Sequence, residues 1–61
     1  METHTVTKDK KYIITAKTDT RVVDVESGYV LAIVPADKQM KVQALSEQFT
    51  TEGECIVRPF R

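Results

Sequence analysis

Few side chains in this sequence could do chemistry by themselves. Cys55 is the one potential nucleophile, His4 the one imidazole, and Asp24 and Glu26 a pair of carboxylates that a strand would set on a common face. A reactive thiol needs a basic neighbour that favours the thiolate. Cys55 stands instead between Glu54 and Ile56-Val57, with His4 at the far end of the chain, so it reads as a half-buried small hydrophobe. His4, near the start, reads as exposed and idle. Zinc asks for four ligands, and two soft ones do not make a site. The Asp24–Glu26 spacing hints at paired acids, but a solvated strand edge beside a turn explains it better. The two glycines, Gly28 and Gly53, are too far apart to form a phosphate-cradling loop. These residues predict no catalysis, no metal and no cofactor.

A second chemistry is phosphate binding. Lys8, Lys10, Lys11, Lys17 and Arg21 fall in the first third of the chain against Glu2, Asp9 and Asp19, with Tyr12 among them. Small sheets that present aromatics beside lysines can stack bases and hold phosphates. The later residues are acidic on balance, Arg58 and Arg61 close the chain with positive charge, and the net charge is +0. A chain of zero net charge has no strong general affinity for nucleic acid. Nucleic-acid binding through those five cations is therefore the alternative function here.

The elements that must position these groups follow from pattern. Arg21 to Val34 is the densest β-branched and apolar run, interrupted once at Glu26-Ser27-Gly28. It reads as a hairpin with a three-residue loop and Gly28 in the left-handed conformation. That register sets Arg21 opposite Ile33, Val23 opposite Leu31 and Val25 opposite Tyr29. Tyr12 to Ala16 is a further strand. If Lys17-Thr18-Asp19-Thr20 closes a second hairpin, Ala16 faces Arg21, Ile14 faces Val23 and Tyr12 faces Val25. Tyr12, Ile14, Ala16, Val23, Val25, Tyr29, Leu31 and Ile33 then share one apolar face. The opposite face holds Ile13, Thr15, Val22, Asp24, Val30, Ala32 and Val34, and it is not polar either. Residues 3–7 form an edge strand or loose arm, and Glu54 to Arg58 a last strand that should lie at an edge or end at Pro59.

Residues 36–48 are ambiguous. They are rich in helix formers, and Pro35 suits a first helical turn. A helix would place Lys38, Val42, Leu45 and Phe49 on one stripe, and Gly53 would follow its end. Alternation at Met40, Val42 and Ala44 argues instead for a strand. The helix reading predicts a single α+β domain over residues 1–61: a mainly antiparallel sheet in the order β-β-β-α-β, after a loose N-terminal strand, with the helix on one face. The strand reading predicts an all-β small barrel or sandwich.

One helix covers only one face of a sheet. Ile13, Val22, Val30, Ala32 and Val34 on the other face therefore predict a homo-oligomer, most simply a two-fold dimer, with Asp24 at its rim against Arg58 or a lysine of the second copy. The function expected is a non-catalytic interaction module, self-associating and engaging a protein partner. No run of about 20 apolar residues suggests a membrane span, and a lone cysteine suggests a reducing, cytoplasmic setting. The opening Met and small size suggest a complete accessory protein of the kind common in phages and mobile elements.

Overall fold

The computed structural model of the chain describes residues 1–60; Arg61, counted above among the closing charges, lies outside the described residues. Among the described residues there are seven strands and no helix. The strands are β1 (Glu2–Thr5), β2 (Lys11–Ala16), β3 (Thr20–Asp24), β4 (Val30–Val34), β5 (Gln39–Gln43), β6 (Gln48–Glu52) and β7 (Cys55–Pro59). They form two antiparallel sheets, β1-β6-β3-β4 and β5-β2-β7. The α+β expectation is overturned; the architecture is all-β.

The helix fails for local and non-local reasons. Pro35 to Lys38 is a tight turn, with the Lys38 amide donating to the Pro35 carbonyl at 3.1 Å. Asp37 in that turn has φ 65°, which no helix accepts. The backbone beyond it is taken by β2, with Lys11 to Thr15 opposite Gln43 to Gln39. Val42 and Ala44 point into the core and Leu45 lies 45% exposed, the reverse of the helical stripe for Leu45. Period-two packing thus outweighs the helix propensity of Gln, Met and Lys.

The second hairpin is also absent. The chain crosses from one sheet to the other between Ala16 and Thr20, so β2 and β3 lie in different sheets. Two strands facing each other across a sandwich bury side chains that point toward the opposite sheet. Tyr12, Ile14 and Ala16 therefore meet Thr20, Val22, Asp24 and Val34 in one core, with Phe49, Val42 and Ala44. Val25, Tyr29 and Ile33, assigned to the core by the hairpin model, are exposed.

The β3–β4 hairpin does form, and it pairs Arg21 with Ile33 as its register requires. The register then shifts, pairing Val23 with Val30 and leaving Leu31 as an extra residue. The Asp24 amide donates to Tyr29 and the Gly28 amide to Asp24, both at 2.8 Å, so the loop is one residue longer than expected. Gly28 has the positive φ assigned to it, 71°. Gly53 also has a positive φ, 115°, but at a β6–β7 turn. A Cβ there would lie 2.4 Å from the Asp19 carbonyl oxygen, so no side chain fits. β1 and β7 are both edge strands, and Pro59 sits at the end of β7.

Candidate binding face

Inward orientation of Tyr12, Ile14 and Ala16 forces Lys11, Ile13 and Thr15 outward on β2. The same alternation turns Gln39, Lys41 and Gln43 outward on β5, and Ile56 and Arg58 on β7. Strand pairing arranges them in rows. Ile13 stands between Lys41 and Arg58, and Thr15 between Gln39 and Ile56. Lys11 stands opposite Gln43, and its carbonyl accepts from the Phe60 amide at 3.0 Å, which brings Phe60 to its other side. The result is a small sheet face with an apolar centre, three cations around it and no carboxylate at any of these positions. The Lys41 ammonium lies 4.1 Å from the centre of the Phe60 ring, a cation–π contact that orders both groups. Shallow grooves run on either side of Ile13. One, of about 350 Å³, is lined by Ile13, Thr15, Gln39, Ile56, Arg58 and Pro59; the other, of about 240 Å³, by Ile13, Gln39, Met40 and Lys41.

Of the five cations picked out in the sequence, only Lys11 is on this face. Lys8 and Lys10 belong to the turn between β1 and β2, where the Lys10 backbone amide donates to the Thr7 carbonyl. Lys17 follows the end of β2, its amide bonded to the Glu54 carbonyl at 2.7 Å. Arg21 lies on the outer side of the other sheet, opposite Glu52 and Ile33. Lys41, Arg58 and Phe60 went unrecognised as a set. Their signal was the polar alternation Gln39-Lys41-Gln43 and the alternation of Ile56, Arg58 and Phe60 with Cys55 and Val57.

The five residues of the expected oligomer surface do not form one surface. Val22 and Val34 are fully buried in the core, Val30 and Ala32 are half-buried in the four-stranded sheet, and Ile13 is at the centre of the face on the other sheet. The reason is that the chain crosses between the sheets after Ala16, so the supposed reverse face of β3 and β4 is largely their core side.

The remaining candidates are tied into the packing of the two sheets. Cys55 is half-buried opposite Ala16 and packs against the core. His4 is half-buried rather than idle: its Nε2 lies 2.9 Å from the Thr51 hydroxyl and 3.6 Å from Glu2, and its ring packs on Phe49. A relay divides base and acid between the two ring nitrogens; here one nitrogen meets both partners, and Thr51 is buried. No cluster of three or more His, Cys, Asp or Glu suited to a metal occurs among the described residues.

Asp24 and Glu26 do not act as paired acids. Asp24 is buried and Glu26 exposed. The Asp24 carboxylate accepts from the Ser46 hydroxyl at 2.7 Å, the Ser27 hydroxyl at 2.9 Å and the Glu26 amide at 3.0 Å. It thereby ties the β3–β4 loop to the β5–β6 loop and needs no partner from a second copy. These donors, Ser46 foremost, hold its pKa below the ordinary carboxylate value against the opposing effect of burial. A carboxyl with a folded pKa below its unfolded one stabilises fully above the unfolded value, and loses that contribution as pH falls through the folded one. Thermal midpoints should therefore be level through mildly acidic pH and fall below about pH 4. Asp24→Asn should flatten that acid limb. An unchanged limb in a folded Asp24→Asn chain would contradict this role.

Comparison with known proteins returns no significant match to a family model, a curated protein or a solved structure. Among the described residues, no helix is long and apolar enough to cross a membrane.

Proposed function

We propose that this chain is a non-catalytic binding module whose working surface is the outer face of the three-stranded sheet, and that its partner is anionic and extended. The observation that carries this is the composition of that face. A chain with net charge +0 gathers Lys11, Lys41 and Arg58 around Ile13 and sets no carboxylate among them. Such a surface attracts anions locally whatever the net charge of the chain. The grooves beside Ile13 lie along the outward side chains of neighbouring strands, which suits a chain laid along the strands better than a small molecule.

Self-association through this face would set Lys11, Lys41 and Arg58 against their own copies, and like charges across an interface are costly. The proposed module therefore works without a homodimer through this face. A protein partner, if one is used, should present carboxylates to this face. A reducing, cytoplasmic setting belongs to the same proposal; it rests on the single unpaired cysteine.

Titration of the labelled protein with a heparin oligosaccharide, followed by backbone NMR, tests the reading. The amides of Lys11, Ile13, Lys41, Arg58 and Phe60 should shift, while those of Lys8, Lys10 and Arg21 stay in place. Shifts centred on the latter three, or none at all, would overturn it.

A further inference from the structure

We infer that the anionic partner is a single-stranded nucleic acid, an inference that rests on the binding face proposed above. The face places two kinds of group side by side. Lys41 and Arg58 supply phosphate contacts across Ile13, and Phe60 supplies a half-exposed aromatic ring beside Lys41. Unstacked bases on aromatic rings, with cations tracking the backbone, are how sheet surfaces hold single strands. A duplex keeps its bases paired and stacked and offers Phe60 nothing to stack on. An acidic peptide would satisfy the cations and leave the ring without a specific use. Gln39 and Gln43, turned outward on β5, add amide donors and acceptors that suit base edges.

The expected affinity is modest and sensitive to salt. Phosphate contacts from Lys11, Lys41 and Arg58 on a single strand predict a slope of about −2 in a plot of log K against log salt. Little sequence preference is expected, because every base has a π-face.

The experiment is fluorescence anisotropy with three labelled probes: a 15-mer oligothymidylate, a mixed-sequence duplex of the same length, and a polyglutamate peptide. The oligothymidylate should bind at least about tenfold more tightly than either of the others. Phe60→Ala should weaken its binding at least about fivefold, and Phe60→Tyr, which keeps the ring, should restore it. Lys41→Gln should reduce the salt slope by about 0.7. Equal or tighter binding of the duplex or of polyglutamate would overturn the inference, as would indifference to Phe60→Ala in a chain with a wild-type amide spectrum. If heparin perturbs the face but the oligothymidylate does not bind, this inference fails and the binding face stands. If neither binds, both fail.

Discussion

Phe49→Ala should leave the chain largely unfolded at 25 °C. Phe49 is 1% exposed and is the largest fully buried side chain. It sits on β6, an interior strand between β1 and β3, opposite His4 on one side and Asp24 on the other. Its ring meets Tyr12 of the second sheet edge-on, at 6.1 Å and 75°, and the His4 ring at 5.5 Å. It therefore joins the two layers at the point where their side chains interdigitate. Truncating a buried Phe to Ala costs about 3–5 kcal/mol, through lost transfer energy and the cavity left behind. The core of a domain this small rarely supplies more than about 3–5 kcal/mol in all, so the loss consumes most of the stability. Leu45→Ala is the natural comparison. A helix would have buried Leu45, but in the sandwich it is 45% exposed, and its truncation should stay within about 0.5 kcal/mol. Urea unfolding followed by circular dichroism decides both. A Phe49→Ala chain with a wild-type midpoint, or a Leu45→Ala chain that unfolds, would contradict the two-layer core.

Much of the local structure was legible in the residues. The strands at 12–16 and 30–34, the edge position of the last strand, the positive φ of Gly28 and the Arg21–Ile33 pairing all follow from alternation, Pro59 and turn chemistry. Partner choice was not legible. Consecutive strands usually neighbour one another, and joining β2 to β3 in one sheet gave a consistent apolar face. It was the wrong face for β3, because Thr20-Val22-Asp24 points inward once the two strands lie in opposite layers. Nothing local distinguishes a hairpin at Lys17–Thr20 from a crossing between sheets at the same residues. Residues 39–43 are deceptive for a different reason. Gln, Met and Lys all favour helix, and only the period of two at Met40, Val42 and Ala44 spoke for the strand that β2 then stabilises.

The candidate face depended on the partner choice and was hidden with it. Lys41 and Arg58 are far apart in the chain and flank Ile13 only because β5 and β7 both pair with β2. Clustering in sequence pointed instead to Lys8, Lys10, Lys11, Lys17 and Arg21, which the fold scatters over a turn, a strand end and both sheets. Asp24 illustrates the converse. Its position in an apolar strand marked it as anomalous, but the donors that satisfy it come partly from Ser46, on a loop that no local pattern connects to it.

Charge reversal at Lys41 and Arg58 decides whether these two side chains form a binding face. Both side chains are exposed and outward on edge strands, so Lys41→Glu/Arg58→Glu should fold as the native chain does. Lys8→Glu/Lys10→Glu makes the same change in net charge away from the face. Two carboxylates in place of two cations remove attraction and add repulsion at the centre of the surface, while the control alters only the weaker long-range field, much of it screened by salt. The measurement is the dissociation constant for a heparin oligosaccharide at about 50 mM salt. The face variant should bind about tenfold to a hundredfold more weakly than the native chain, and the control within about threefold of it. Equal weakening in the two variants would mean that net charge alone governs binding, and a loss confined to the control would move the site to the β1–β2 turn; either result would rule out a binding face built on Lys41 and Arg58.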